Sequence, residues 1–273
     1  MLIIYMVLEA IIPVKKVIKN PIDMFIFSMV ISFASIYLAD LIFPGVSTGK
    51  IITLFITVGV TPMIYGIFRK EEEIEREEAE HKINEKFFER HGETILLFSL
   101  FFLGVFLSIF TVSIFSDENY VKYIFEDQLA EIARVTSIAE TSGSFVISNI
   151  LEIIIENNLR VMGLSFLLSF LLGSGAIIIL AWNASILALY LSSFIRKGLM
   201  TEFVVRSISL IPHAPMEIAA YFLAGMAGGI LSVGLIRERL FSREFFLVFR
   251  DSLILLGLAV LAVFIGAFIE VFA

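Results

Sequence analysis

Stretches of about 20 apolar residues alternate with polar segments along almost the whole chain. An α-helix rises about 1.5 Å per residue, so ~20 such residues cross a hydrocarbon core of ~30 Å. The pattern therefore predicts an all-α, polytopic membrane bundle with six or seven spans and additional extramembrane helices. The predicted spans are residues 23–43, 51–68, 94–115, 160–181, 184–195, 212–236 and 252–272.

The number of crossings depends on residues 184–195, which are few for a complete span. Seven crossings result if this run crosses the membrane, and six result if residues 184–211 form a re-entrant hairpin. Gly173 and Gly175 lie inside the span predicted at 160–181, where we expect them to allow close helix packing. We prefer seven crossings.

The distribution of Lys and Arg predicts the orientation, because cytoplasmic loops are enriched in both. Residues 69–92 carry six basic residues and residues 237–250 carry four, whereas residues 116–157 carry two against eight acidic residues. The N-terminus, 69–92 and 237–250 are therefore predicted to be cytoplasmic, which makes the C-terminus external. Arg196 and Lys197 then lie on the external side, against the rule.

Polar segments outside the spans have helical patterns of their own. Glu72 and Arg76, like other pairs in the run 69–92, are spaced i,i+4, which predicts a solvated helix. Apolar residues recur at helical spacing through 116–157, whose later part, 145–158, is expected to lie along the membrane surface. Residues 1–12 are too few to span and predict a short interfacial helix.

The candidate chemistry is concentrated in residues 210–229, LIPHAPMEIAAYFLAGMAGG. Pro212 and Pro215 are tolerated together only in a first helical turn, so they predict a helix N-terminus. His213 and Glu217 then lie above a stripe of small residues, which is typical of helices that pack closely against protein and which we expect to support a dimer. The small residues are Ala220, Ala224, Gly225, Gly228 and Gly229.

An ionisable residue between helices needs polar partners, because a charge inside a bilayer costs about 2.5 to 3.5 kcal/mol on insertion scales. We expect Arg160 to neutralise Glu217, and Asn183 to approach from the head of the fifth span. The predicted polar cluster consists of Asn157, Asn158, Arg160, Asn183, His213 and Glu217.

Three interpretations of His213 and Glu217 remain open. The pair could bind a divalent metal such as zinc, although two ligands are too few for a zinc site. It could transfer a proton or catalyse hydrolysis, but no recognisable nucleophile accompanies it, so no catalytic residue is assigned. It could also be a hydrogen-bonded latch that fixes the broken helix to its neighbours.

Composition excludes several classes of protein and site. The chain is 59% hydrophobic and only 17% charged, as expected of a membrane protein in contact with lipid. A net charge of -7 argues against a nucleic-acid partner. The absence of Cys excludes disulfides, thiolate metal sites and cysteine nucleophiles.

The motifs NNLRVMGLSFLL, WNASILALYL and PHAPMEIAAYFLAGMAGG, in this order, resemble the stage II sporulation protein M family over residues 157–236. The positions that carry the resemblance are Asn158, Asn183, Pro212, His213 and Glu217, while Ala184 and Ala214 replace the usual glycines. The resemblance implies an integral membrane protein that, in endospore formers, works in a complex localising peptidoglycan-degrading enzymes.

Residues 1–156 are predicted to form an N-terminal membrane region with three spans, and residues 157–273 a domain resembling that family. The first hypothesis is a non-enzymatic cell-membrane scaffold, in contact with lipid and homo-oligomeric, that recruits membrane or envelope proteins. A transporter or channel for an ion or small polar solute is the alternative. A metal-assisted intramembrane hydrolase is a further one.

Overall fold

The protein is represented by a computed structural model that describes residues 13–81, 87–141, 147–173, 175–238 and 242–272. Side chains are not described for 71–91, 136–149 and 237. The described residues form eleven α-helices and no strand. The helices are α1 Val14–Lys19, α2 Ile22–Ile42, α3 Gly49–His81, α4 Phe87–Phe115, α5 Glu118–Ile124, α6 Glu126–Thr141, α7 Ile147–Leu172, α8 Ala176–Arg196, α9 Met200–Leu210, α10 Ala214–Arg237 and α11 Arg243–Phe272.

Seven of these helices are long and apolar enough to cross a membrane, so the predicted all-α membrane bundle is confirmed. The candidate spans are Ile22–Ile42, Gly49–Lys70, Gly92–Phe115, Ile150–Leu172, Ala176–Arg196, Ala214–Ile236 and Arg243–Phe272. The fifth span has 21 residues. It therefore has the length of a complete crossing, and the structure supports seven crossings over six.

The break between the fourth and fifth spans was predicted at the wrong place. Helix α7 ends at Leu172, and Gly173 has a φ of 74°, a conformation that L-residues with a side chain rarely adopt. Helix α8 then begins at Ala176, whose N–H donates to Ser169 Oγ at 2.8 Å. Gly173 therefore turns the chain between two spans, and Asn183 lies within α8 rather than at its head.

The prediction that residues 145–158 lie along the membrane surface before the fourth span is also wrong for the described part. Helix α7 runs without interruption from Ile147 to Leu172. No Pro or Gly interrupts residues 147–162, so nothing in this part of the sequence breaks the backbone ladder. Asn158 consequently lies well inside a long helix and not at its entrance.

The spans pack in two groups, α2, α3, α4 and α8 in one and α7, α10 and α11 in the other, with α3 and α8 also contacting α10. Serine hydroxyls lie between helices of the first group: Ser192 Oγ donates to Ser113 Oγ at 2.7 Å, and Ser108 Oγ donates to the Met29 carbonyl at 3.3 Å. Because α8 joins the helices of the N-terminal half, packing crosses the predicted boundary between residues 156 and 157.

Helices also extend outside the spans at the end of the bundle where α3 leaves it and α4 enters. Helix α3 continues past its span to His81, and α4 already begins at Phe87. Lys70 Nζ lies 3.2 Å from Glu93 Oε2, and this ion pair joins the two helices at the adjacent ends of their spans. The segment 69–92, predicted to be a charged helix, is therefore helical wherever its backbone is described. The predicted interfacial helix at 1–12 lies outside the described residues.

Candidate functional site

The head of α10 is built by the proline turn that the sequence predicts. Helix α10 begins at Ala214 with Pro215 in its first turn, where a missing backbone N–H costs no intrahelical bond. His213 contributes its backbone here, because its carbonyl accepts from the N–H groups of Met216 at 2.9 Å and Glu217 at 3.3 Å. The turn places Glu217 in the first turn of the helix, facing α7.

Asn158 on α7 joins two residues of α10 through its amide group. Its Nδ2 donates to Glu217 Oε1 at 2.6 Å, and its Oδ1 accepts from Tyr221 Oη at 2.5 Å. Asn158 and Tyr221 are each only 4% exposed. We call these three residues the Asn158 link. The nitrogen and the oxygen of the amide each form a hydrogen bond, and these bonds offset the free-energy cost of burying the polar groups.

The third helix at this position is α11. Glu270 on this helix lies close enough to Glu217 for their carboxyl groups to interact electrostatically. Gly266, one turn earlier on α11, packs so closely that a Cβ there would lie 3.2 Å from Glu217 Cγ. Glu217 is therefore enclosed between α7 and α11, while Glu270 itself is exposed.

The structure does not bring the whole predicted polar cluster together. Asn158 and Glu217 meet, but Asn157 and Arg160 are exposed on α7. Asn183 Nδ2 donates to the Ile179 carbonyl of its own helix at 2.7 Å. The expectation that Arg160 neutralises Glu217 is wrong, because Arg160 is exposed and the carboxyl group accepts a hydrogen bond from Asn158 instead.

Tyr221 and Glu270 were missed by the sequence interpretation. Tyr221 is four residues after Glu217, on the same helical face, and this spacing was a usable signal. Glu270 is the only acidic residue in 252–273, but nothing in the sequence indicates that its end of α11 approaches the head of α10. That approach depends on how the helices pack.

A metal site at His213 and Glu217 would need further ligands. Among the described residues, no group of three or more His, Cys, Asp or Glu side chains is arranged to hold a metal ion. A zinc ion normally takes at least three protein ligands. The zinc hypothesis therefore lacks the additional ligand that it requires within the described part of the chain.

The small residues of α10 are covered by other helices of the same chain. Ala220 and Ala224 are fully buried. A Cβ on Gly225 would lie 2.5 Å from Ala176 Cβ, one on Gly228 would lie 2.3 Å from the Phe166 carbonyl oxygen, and one on Gly229 would overlap the Phe68 ring. This face is not free for a second copy, so the expectation that it supports a dimer is wrong.

At the opposite end of the bundle from the α3 and α4 extensions, helices α5 and α6 are bonded to the loop between α2 and α3 and to the first turn of α3. We call them the α5–α6 platform. Tyr123 Oη accepts from the Gly45 N–H at 2.5 Å and lies 3.3 Å from the Phe43 carbonyl. Gln128 Nε2 donates to the Gly49 carbonyl at 3.1 Å. These contacts connect residues about 80 positions apart and fix the platform to the bundle.

Asp127 strengthens this attachment. Its carboxylate lies 2.6 Å from Lys50 Nζ and accepts from Ser47 Oγ at 3.0 Å. Burial raises the pKa of Asp127, but the hydrogen bonds from Lys50 and Ser47 outweigh burial and leave the pKa below its ordinary value. Asp127 therefore binds as an anion at neutral pH.

Arg196, one of the two cations that break the predicted charge pattern, has a structural partner. Its Nη1 donates to the carbonyls of Ser113 and Ser116, the latter at 3.0 Å, at the C-terminal end of α4. Unpaired carbonyls give a helix C-terminus partial negative charge, which stabilises a cation. This contact explains why a cation is placed at the end of α8, against the predicted charge pattern.

A family model described as Stage II sporulation protein M matches residues 96–273, from the third span to the end of the chain. The match is longer than the resemblance over 157–236 and includes most of α4, the platform, the Asn158 link and α11. No curated protein and no solved structure matches the chain significantly. With a match over more than half of its length, the chain belongs to the stage II sporulation protein M family and is a multi-pass membrane protein.

Proposed function

We propose that this protein is a non-enzymatic membrane scaffold that holds partner proteins at the membrane through the α5–α6 platform. The observation that carries the proposal is the attachment of the platform by Tyr123, Asp127 and Gln128 to the loop before α3 and to the first turn of α3. A surface fixed to the bundle loses little conformational entropy when a partner binds.

The exposed chemistry of the platform indicates the kind of partner. Residues 117–135 carry five acidic residues against two basic ones. Asn119, Lys122, Tyr123, Glu126, Leu129 and Ala130 line an open cleft of about 600 Å³. A membrane or envelope protein with a basic contact surface is complementary to this charge.

The Asn158 link supports a structural role over transport or hydrolysis. Its amide is paired at both ends with residues of α10. A carboxyl group held in this way stabilises the packing of α7 against α10. Transport and hydrolysis have no specific observation in their favour among the described residues.

The proposed orientation places the N-terminus in the cytoplasm and the platform outside. Six basic residues in 69–92, against two in 116–157, support it. The platform would then face the cell envelope, and the α3 and α4 extensions would face the cytoplasm.

Affinity purification from native membranes after mild cross-linking tests the scaffold proposal. We expect wild type to recover a defined partner, and Glu126→Lys, which reverses an exposed charge in the cleft, to reduce its recovery several-fold. Glu238→Lys makes the same change at the loop before α11 and serves as the matched control. A chain that emerges alone, or equal recovery with both variants, contradicts the proposal.

A further inference from the structure

We propose that α9, Met200–Leu210, is an interfacial helix that inserts one face among the acyl chains of the leaflet on the platform side. No residue of α9 is buried, although the helix follows a span directly. An exposed helix in a membrane protein contacts lipid, water or another protein. Its three faces and its depth decide between these surroundings.

The first face of α9 contacts the bundle. Phe203, Ser207 and Leu210 are the partly buried residues of the helix, at spacings of four and three. The Phe203 ring packs against Phe110 of α4 with a centroid distance of 6.2 Å. This face fixes α9 against the outside of the helix bundle.

The second face is apolar and exposed. Met200, Val204 and Ile208 recur every four residues, joined by Val205 and Ile211, and they are between 46% and 66% exposed. At about 100° per residue these side chains lie on one side of the helix, next to the bundle-facing side. Four exposed large hydrophobic residues on one short helix, with Ile211 directly after its end, form a patch that requires an apolar partner.

The third face is polar. Glu202, Arg206 and Ser209 are exposed, and Glu202 lies 3.7 Å from Arg206. The polar face lies on the opposite side of the helix axis from the apolar face, and about a third of a turn around the helix from the face that contacts the bundle. Protein, lipid and water sides on one helix are the arrangement expected of a helix lying in the plane of a membrane interface.

Depth identifies lipid as the partner of the apolar face. Phe110 lies five residues before the end of α4, or about 7.5 Å along the helix axis, so α9 contacts the bundle below the end of a span. The chain enters α9 from one span at Arg196 and leaves it for the next at Ala214. The apolar face is therefore continuous with the lipid-exposed sides of spanning helices.

The absence of native Cys allows a direct test by site-directed spin labelling. Val204→Cys and Ile208→Cys would place a nitroxide on the apolar face, and Glu202→Cys and Ser209→Cys are matched controls on the polar face. The full chain is reconstituted in phosphatidylcholine–phosphatidylglycerol vesicles, and accessibility to oxygen and to a water-soluble nickel chelate is measured.

We expect residues 204 and 208 to be at least several-fold more accessible to oxygen than to the nickel chelate, with the order reversed at 202 and 209. High nickel accessibility at all four positions would place α9 in water and overturn the proposal. Low accessibility to both reagents at 204 and 208 would mean that protein covers the face, and would overturn it as well. Elution of each variant like wild type in detergent establishes that the label has not unfolded the chain.

Discussion

Asn158 forms hydrogen bonds with both Glu217 and Tyr221, so we expect its replacement to weaken the contact between α7 and α10. Interhelical hydrogen bonds in membranes contribute about 0.6 kcal/mol on average and up to ~1.7. Two bonds are lost together in Asn158→Ala, and two buried polar groups remain without this partner. We expect a loss of about 1–3 kcal/mol in the free energy of unfolding.

Denaturant unfolding of the purified protein in mixed micelles measures this difference. Asn157→Ala, the neighbouring exposed position, is the control, and we expect it to stay within about 0.5 kcal/mol of wild type. Equal losses in the two variants would show that the Asn158 link does not stabilise the contact between α7 and α10.

The stability that Asp127 gives to the platform should depend on pH. Its pKa is lowered in the folded protein, so the stability that it contributes is present above the ordinary pKa of 3.8 and is lost as pH falls through the lowered folded value. We expect Asp127→Asn to expose the platform to proteolysis at neutral pH, where wild type is protected. The difference between them should shrink as pH falls below about 4.

Limited proteolysis of α5 and α6 between pH 7 and pH 3 measures this effect. Glu126→Gln is the matched control, because Glu126 is the exposed neighbour of Asp127. The same loss of protection with Glu126→Gln, or a difference that is constant with pH, would assign the protection to something other than the Asp127 carboxylate.

At the scale of the elements, close contact between α7 and α10 depends on Gly228. A Cβ at this position would lie 2.3 Å from the Phe166 carbonyl oxygen and 2.9 Å from the Phe170 nitrogen. Both are backbone atoms of α7 and cannot rotate away, so the helices must separate. We expect Gly228→Ala to cost about 1–3 kcal/mol or more, as overpacking in protein interiors does.

Gly257→Ala on α11 is the matched control, because nothing lies within 4 Å of the added Cβ. Alanine is a better helix former than glycine by up to about 1 kcal/mol, so we expect this variant to be unchanged or stabilised. Unfolding in mixed micelles compares the two variants. Similar stabilities would contradict the close packing of α7 and α10.

For the whole molecule, seven crossings require the platform and the loop before α11 to lie on opposite sides of the membrane. Asn119→Cys and Glu238→Cys introduce single thiols at these two places in a chain that otherwise has none. In intact cells expressing the protein, we expect a membrane-impermeant maleimide to label residue 119, and to label residue 238 only after permeabilisation.

Labelling of both thiols from outside would contradict seven crossings. Labelling of residue 238 alone in intact cells would retain seven crossings but reverse the proposed orientation. The Cys-free parent protein measures background labelling.

The fold class, the helix start at Pro212–Pro215 and four of the seven spans, to within a few residues at both ends, could be predicted from the sequence alone. These features follow from local properties: the length of apolar runs, the distribution of charge and the geometry of proline. The sequence also identified Asn158 and Glu217 as members of one cluster, through their apolar surroundings and the family resemblance.

The partners of Glu217 and the end of the fourth span depend instead on how the helices fold against one another. Asn158 and Glu270 meet Glu217 because α10 packs between α7 and α11, a contact that no local pattern specifies. Gly173 could pack a helix or turn the chain, and its positive φ decided for the turn. Periodicity and composition describe what each segment can do alone, whereas partners for polar groups depend on which helices lie side by side.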